Sequence, residues 1–278
     1  MIAINNSRAR IPLAARVWPR VPPRRPALAR LVFAVVAGCA LAAREAPAEG
    51  VPAAFVARAE NALVEAQLRL HAAPTNSAAV ESFARACFDR AEFATNSAER
   101  AALADQGIST CRDWVAREPG SAAAHYYLGM NLGQLARTKM LGALRIVDEM
   151  EREFKAAQVL DERLDHAGPD RNLGLLYLEA PVIGSVGSRT QARRCLRRAA
   201  ELAPDYPENR LDLLEAYLKW NERASARTEL KGLEALWPRA GTNFTGAAWA
   251  PSWIDWNTRL ETAREKIGER VESPRGKQ

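Results

Sequence analysis

Residues 207–240 read PENRLDLLEAYLKWNERASARTELKGLEALWPRA, and this stretch decides the fold. In its first half, Leu213, Leu214 and Tyr217 recur at spacings that place them on one face of an α-helix. In its second half, one apolar face is formed by Ala226, Leu230, Leu233 and Leu236. The two predicted helices meet at residues 220–222, and Pro238 is predicted to end the second. Because such a hairpin cannot bury both apolar faces alone, it predicts stacking on neighbouring hairpins.

Two upstream stretches carry the same pattern. Residues 121–162 contain Leu128-Gly129 in the first helix, and residues 167–204 contain Leu173-Gly174 at the equivalent place. Each has an insert between its helices, apolar around Gly142 in the first and reading EAPVIGSVGSR in the second. The sequence therefore predicts three stacked repeats, at 121–162, 167–204 and 207–240.

Further helices are predicted on both sides of these repeats. Upstream, helices are predicted at 52–73, 78–94 and 98–117, with caps at Asn76-Ser77, Asn96-Ser97 and Ser121. Downstream, residues 241–278 are predicted to form a capping helix with Trp253, Ile254 and Trp256 inward. Its outward face is predicted to carry Arg259, Glu261, Arg264, Glu265 and Lys266. An aromatic binding shelf is the alternative role of the tryptophans. We predict an all-α solenoid over residues 49–278.

The pattern resembles the tetratricopeptide repeat (TPR), in which 34 residues form a helix hairpin. Residues 121–240 are similar to exported bacterial TPR proteins. The hairpin HYYLGMNLGQLARTK, residues 125–139, and the insert after Tyr177 also resemble the periplasmic TPR component associated with TRAP transporters. That second resemblance implies a helical superhelix with a cavity between its repeats.

The TPR resemblance also implies a binding groove, because the first helices of TPR repeats line the concave face. Carried across by repeat position, this face comprises Tyr126, Met130, Gln134, Arg171, Leu175, Glu179, Leu211, Glu215, Leu218 and Lys219. Such a groove is apolar at its centre and polar at its edges. It implies a protein or peptide partner, and an amphipathic helix lying on Leu175, Leu211 and Leu218 is one mode of binding.

The first 48 residues are predicted to form an export leader. Eight arginines and one acid precede or flank the apolar run LVFAVVAGCALAA, residues 31–43, which is too short to span a membrane comfortably. Cleavage after small residues at Ala40–Ala42 or Ala46–Ala48 would release a soluble protein. Alternatively, residues 36–39 resemble a lipobox, which would attach a lipid to Cys39. We favour soluble export, with periplasmic or envelope-anchored location as the two outcomes.

The charge of +6 does not indicate a nucleic-acid partner. The leader carries a net +7 by itself, which leaves about −1 for the remaining residues, with both signs interspersed. Outside the leader, Cys87, Cys111 and Cys195 lack metal-site spacing. Cys87 and Cys111 are predicted either to pair across a hairpin or, as for all three, to fill buried apolar faces.

No pattern in the sequence predicts catalysis. The histidines are scattered at His71, His125 and His166, and the glycines at 184–187 lack the lysine of a phosphate loop. We therefore predict a protein without enzymatic activity, metal or cofactor, which acts as a TPR scaffold. The alternative function is a periplasmic solute-binding accessory component of a transporter, with an apolar small molecule under the 121–161 hairpin.

Overall fold

A computed structural model describes residues 53–139 and 143–268 of the chain. Over these residues the protein is all-α, with ten helices and no strand. In chain order they are α1 (Ala53–Ala72), α2 (Ser77–Glu92), α3 (Ser97–Arg117), α4 (Ala122–Ala136), α5 (Ala143–Leu160), α6 (Leu164–Glu179), α7 (Arg189–Leu202), α8 (Pro207–Lys219), α9 (Arg223–Asn243) and α10 (Ala250–Gly268).

The helices form two layers. Each even-numbered helix from α2 to α8 contacts the next even-numbered helix, so α2, α4, α6, α8 and α10 make one continuous layer. The odd-numbered helices pack mainly against their neighbours in the chain. The hairpins α4–α5, α6–α7 and α8–α9 overlap the three stretches in which the sequence predicts repeats. This all-α solenoid confirms the predicted fold class.

Side-chain caps fix where several of these helices begin. Asn76, Asn96 and Ser121 each accept a hydrogen bond from the backbone N–H three residues later, at 3.0, 2.9 and 3.3 Å. These are the predicted caps. Ser188 caps α7 in the same way, through Gln191 N–H at 3.3 Å. The insert before α7 therefore ends at a defined residue.

The glycines of the repeats allow close packing within a hairpin. A Cβ on Gly129 would lie 2.6 Å from the ring of Phe154, and one on Gly174 would lie 2.6 Å from Leu196. The first contact joins α4 to α5, and the second joins α6 to α7. The absence of a side chain at these two positions lets α4 approach α5 closely, and lets α6 approach α7 in the same way.

Helix α10 covers the end of the solenoid. Trp256 is fully buried, and Leu260 and Ala263 pack with it on α8 and α9. Trp249 and Trp256 are thus part of the core rather than an exposed shelf. Two predictions for this segment are wrong. Ile254 is 54% exposed, and Arg259, predicted to face outward, is buried against the carboxylates of α8.

One predicted helix boundary is also wrong. Helix α9 continues through Pro238 to Asn243, because the buried side chains of Leu236 and Ala240 hold both sides of the proline in the core.

The repeat predicted over residues 167–204 starts with α6, which begins at Leu164. Residues 165–167, at the start of α6, have positive φ angles between 49° and 62°, so the chain turns sharply there before the regular part of the helix.

The three cysteines of the described part are free and buried. Cys87 and Cys111 do not pair, and burial raises the pKa of the Cys87 thiol to about 12. They therefore pack as small apolar side chains. None of the helices in residues 53–139 and 143–268 combines the length and hydropathy needed to cross a membrane. The predicted leader, including Cys39, lies outside the described residues.

Candidate binding groove

Half of the predicted groove residues lie inside the protein. Five of them are at most 3% exposed: Tyr126, Met130, Gln134, Arg171 and Leu211. Neighbouring even-numbered helices close over these positions, because α4 lies between α2 and α6 in the layer. A partner lying on the described surface would not touch these side chains.

The buried polar members of this set hold elements of the fold together. The Tyr126 hydroxyl donates to Asp165 Oδ2 at 2.5 Å, and Gln134 bonds the carboxylate of Glu92 on α2. Gln134 therefore links α4 to α2, and Tyr126 links α4 to the turn at the start of α6. Both side chains therefore connect parts of the fold, and residue spacing in the sequence does not reveal this role.

Arg171 holds the left-handed turn at the start of α6. Its guanidinium donates to the Asp165 carboxylate at 3.2 Å, to the backbone carbonyl of His166 at 3.1 Å and to Asn209 Oδ1 at 2.9 Å. It also contacts the face of the Tyr206 ring, 5.2 Å from the centroid. A fully buried arginine with these partners connects α6 to α8 and stabilises three residues at positive φ.

The other five predicted groove residues reach the surface of α6 and α8. Leu175 and Leu218 are half-buried and pack at the edge of the C-terminal core, and Lys219 is exposed. Lys219 Nζ lies 2.8 Å from Glu179 Oε1, so this ion pair joins the two helices at one end of the groove. Glu215 is also half-buried. The accessible part of the predicted groove therefore lies on the C-terminal half of the even-numbered layer.

A cluster of charged residues at the junction of α8 and α10 was missed by sequence reasoning. Arg259 Nη2 donates to Asp212 Oδ1 at 2.5 Å, its Nε donates to Glu215 at 2.9 Å, and its Nη1 lies 3.4 Å from Asp255. Glu208, Asp212 and Glu215 share one face of α8, and this spacing was the available signal. Arg259, the partner of Asp212 and Glu215, is 44 residues or more away from them in sequence.

The junction contains more carboxylates than one guanidinium can neutralise. Burial raises the pKa of Asp255 to about 7 and that of Asp212 to about 6. Arg259 lowers both values, whereas Glu208 and Glu215 raise them. Burial alone would lower the pKa of Arg259, but the surrounding carboxylates hold it well above its ordinary value. Arg259 therefore stays charged, and its one positive charge is shared among several carboxylates.

A second charged group lies on α2, at the other end of the layer. Glu81, Arg85 and Asp89 recur along one face, and Arg85 lies 3.6 Å from Asp89. Burial raises the pKa of Glu81, Arg85 partly opposes this, and the carboxylate of Asp165 adds to it.

Histidine and metal chemistry are not indicated in the described part. His125 Nδ1 lies 2.6 Å from the Glu153 carboxylate, and its Nε2 lies 3.0 Å from the Pro119 carbonyl oxygen. Both ring nitrogens are therefore within hydrogen-bonding distance of a protein oxygen. Among residues 53–139 and 143–268, no group of three histidines, cysteines or acids is placed to hold a metal ion.

Comparison with solved structures identifies the architecture. This chain is similar in structure to the crystal structure of TTC0263, described as a thermophilic TPR protein in Thermus thermophilus, with a TM-score of 0.54. The identity is 21%, over 75% of this chain and 92% of the other. The fold is that of a TPR protein. TPR folds commonly serve as scaffolds for protein interactions, but the likeness at this identity is one of fold.

No protein-family model and no curated protein matches the sequence. The predicted similarity to the transporter-associated TPR component therefore stays a prediction. The hairpins α4–α5, α6–α7 and α8–α9 follow the order of the three predicted repeats, and the even-numbered helix is the first helix of each hairpin.

Proposed function

We propose that this chain is a non-catalytic TPR scaffold that binds a protein or peptide partner in the bacterial cell envelope. The observation that carries the proposal is the accessible strip on α6 and α8. There, Leu175 and Leu218 are half-buried beside the Lys219–Glu179 ion pair. Apolar side chains with charged neighbours are typical of surfaces that receive an amphipathic segment.

The envelope location is supported by the order of the leader. Basic residues, a short apolar run and small residues follow one another between residues 1 and 48, as they do in export signals. Mass spectrometry of the protein isolated from its host tests this directly. A mature chain that begins near Ala43 or Glu49, or at a lipidated Cys39, supports export, whereas a mass that includes Met1 contradicts it.

A partner on α6 and α8 is favoured over the alternative of a bound solute. An open cavity of about 560 Å³ is lined by residues of α7, α8 and α9, including Arg197, Arg210 and Tyr217. A second, of about 420 Å³, lies along α1. Neither lies beneath the 121–161 hairpin, where the apolar solute was expected.

Site-specific photocrosslinking tests the position of the partner. A photoreactive amino acid replaces Leu218 in the full chain, expressed in its host, and the matched control replaces Leu144, an exposed leucine on α5. We expect a protein crosslink from position 218 and none from position 144, because only the first lies on the strip.

Equal crosslinking from both positions would contradict the proposed groove. The release of a small organic compound when the purified chain is denatured would instead support the solute-binding alternative. Circular dichroism of both proteins controls for folding, since Leu218 also packs at the edge of the core.

A further inference from the structure

Helices α6 and α8 run in the same direction. Near their N-terminal ends Arg171 donates to Asn209 Oδ1 at 2.9 Å, and at their C-terminal ends Lys219 Nζ lies 2.8 Å from Glu179 Oε1. The connections that follow these two helices, α6–α7 and α8–α9, therefore start side by side at one end of the stack.

Helix α5 runs in the opposite direction beside α6. Gln158, near the end of α5, donates to Asp170 at 2.5 Å, near the start of α6. Glu151, nearer the start of α5, accepts from the Tyr177 hydroxyl at 2.7 Å, near the end of α6. The start of α5 therefore lies at the same end of the stack as the connections α6–α7 and α8–α9. We call this end the loop edge, and its described residues are 136–139, 143, 179–189 and 219–223.

The α6–α7 connection presents two aliphatic side chains to solvent at the loop edge. Val182 is 75% exposed and Ile183 is 94% exposed, which makes Ile183 the most exposed large apolar side chain within residues 53–139 and 143–268. The base of the loop is closed, because Gly187 N–H donates to the Pro181 carbonyl at 3.0 Å and Val186 packs against the core. A tip held in this way can be buried against another surface with a small loss of conformational entropy.

Lysine and arginine side chains lie on both sides of this tip. Lys219 is exposed at the end of α8, beside the residue that ends α6. Arg189, which follows the loop, is exposed and lies over the Trp220 ring, 5.3 Å from its centroid. Lys139 after α4 and Arg145 in the first turn of α5 are exposed, and neither forms an ion pair with a described residue.

The loop edge is basic, whereas the opposite edge of the same hairpins is acidic. In the connections of the loop edge, with one helix residue on each side, five cations stand against two carboxylates: Arg137, Lys139, Arg189, Lys219 and Arg223 against Glu179 and Glu222. In the connections α3–α4, α5–α6 and α7–α8, counted in the same way, four carboxylates stand against two cations: Glu118, Asp161, Glu162 and Asp205 against Arg117 and Arg163.

The positive excess at the loop edge remains after its ion pairs are considered. Glu179 and Glu222 are already paired with cations of this edge, and the buried carboxylate of Glu92 neutralises Arg137. Lys139 and Arg145 stay unpaired among the described residues. The loop edge therefore combines a projecting apolar tip with exposed positive charge.

This combination is typical of surfaces that dock on anionic lipid bilayers. Aliphatic side chains enter the boundary between headgroups and acyl chains, while lysine and arginine side chains stay among the negatively charged headgroups. Exposure alone does not distinguish the loop edge, because Val159 at the end of α5 is 85% exposed. Val159, however, lies at the opposite edge next to Asp161 and Glu162, which an anionic surface would repel.

We propose that the loop edge is a membrane-docking surface, at which Val182 and Ile183 enter the interface of an anionic bilayer and the neighbouring lysine and arginine side chains contact its headgroups. This inference goes beyond the proposed scaffold function and requires no partner on α6 and α8. In this orientation the acidic edge faces away from the bilayer.

Amide hydrogen exchange of the purified full chain with vesicles tests the proposal. The vesicles contain equal amounts of phosphatidylethanolamine and phosphatidylglycerol, and vesicles of phosphatidylcholine alone control for lipid charge. We expect slower exchange over residues 180–188 with the anionic vesicles and unchanged exchange over residues 160–163. The protection should weaken as the salt concentration rises, because the headgroup contacts are screened. Since this readout is local, lipid binding by the basic leader does not produce it.

Matched apolar variants locate the contact. Ile183→Asp removes an inserting side chain and adds a negative charge, so the lipid concentration for half-maximal protection of residues 180–188 should rise roughly tenfold. Val159→Asp makes the same chemical change at a similarly exposed position of the opposite edge, and it should leave that concentration unchanged.

Matched charge variants test the role of the cations. Lys139→Gln should raise the half-maximal lipid concentration about fivefold, since a cation near an anionic bilayer contributes about 1 kcal/mol. Arg117→Gln removes an exposed cation from the opposite edge and should have no effect.

Three results would overturn the membrane-docking surface. They are unchanged exchange over residues 180–188 with anionic vesicles, equal protection by phosphatidylcholine vesicles, and equal effects of Ile183→Asp and Val159→Asp. If Ile183→Asp instead lowered the molar mass measured by light scattering and left the lipid response unchanged, the loop edge would be an interface between copies of the chain. Crosslinking from position 218 decides the scaffold function separately.

Discussion

At the scale of single residues, a few buried polar groups fix how neighbouring helices are joined. Arg171 and Arg259 are both almost fully buried, and each satisfies its guanidinium with groups from two or more elements. A buried charge is tolerated only when it is paired, so each arginine fixes the carboxylates and carbonyls around it. Asp255 is the member of these networks most easily tested, because its pKa of about 7 lies within the physiological pH range.

Asp255 makes stability depend on pH. Its pKa is about 7 in the folded chain and near 3.8 when unfolded, so the folded state binds the proton more tightly. The stabilisation is therefore present at low pH and is lost as pH rises from about 4 to 7. Asp255→Asn mimics the protonated form. Urea unfolding between about pH 5 and 8 should show a weaker pH dependence, and at the upper end the variant should be more stable by about 1–3 kcal/mol.

Asp212, Glu208 and Glu215 face the same junction, so the variant should reduce the pH dependence without abolishing it. Asp105→Asn, on the exposed side of α3, is the control and should change stability by less than about 0.5 kcal/mol. Parallel stability curves for the wild type and Asp255→Asn would show that Asp255 does not titrate in this range.

At the scale of one element, α10 combines two modes of attachment. Trp256, Leu260 and Ala263 bury apolar surface on α8 and α9, and Arg259 enters the acidic face of α8. The first mode tolerates many apolar sequences, whereas the second requires a cation at one position. Arg259 therefore fixes the orientation in which α10 docks.

Arg259→Met tests this second mode. The substitution leaves Asp212, Glu215 and Asp255 without their counter-charge, and breaking a buried pair in this way costs about 3–5 kcal/mol. Arg264→Met removes an arginine whose ion pairs with Glu234 and Glu261 are solvent-exposed, so it should cost less than about 1 kcal/mol.

Urea unfolding gives the two free energies for these arginine variants, and amide hydrogen exchange shows where protection is lost. We expect the loss in Arg259→Met to concentrate in α10 and α8. Equal costs for the two variants would mean that the apolar contacts alone hold α10 in place.

At the scale of the whole molecule, the stacked hairpins share stability with their neighbours. One core cluster extends from α2 to α7 and another from α6 to α10, and residues such as Leu178 and Trp220 contact both. In a solenoid each hairpin contacts only the next, so loss of an end exposes the adjacent unit first. The aromatic group of Tyr206, Phe244, Trp249 and Trp256 is the part of the C-terminal core that depends on the cap.

A chain that ends after Phe244 tests this arrangement. Without α10, Tyr206 and Phe244 lose their contacts with Trp256, so we expect faster hydrogen exchange in α8 and α9 and self-association through the exposed end. Exchange in α4 and α5 should change little, because they belong to the other cluster. A uniform loss of protection over all helices would show that the solenoid unfolds as a single cooperative unit.

The sequence by itself determined the helices, their caps and the solenoid. Apolar positions at helical spacing and the Leu-Gly pairs of 128–129 and 173–174 are local signals, and they placed the repeats without any tertiary information. The same local reasoning failed where packing outweighed propensity. Pro238 lies inside α9 because buried neighbours on both sides hold the helix.

Only the tertiary structure decided which side of each inner helix reaches solvent. Repeat position assigned Tyr126, Met130, Gln134, Arg171 and Leu211 to the groove, but the neighbouring helices bury them. Nothing in the local sequence around Arg259 shows that it pairs with residues on α8, since the two segments meet only when α10 packs on α8. Helical spacing is a property of one element, whereas exposure and charge pairing depend on how far adjacent elements are rotated and how closely they approach.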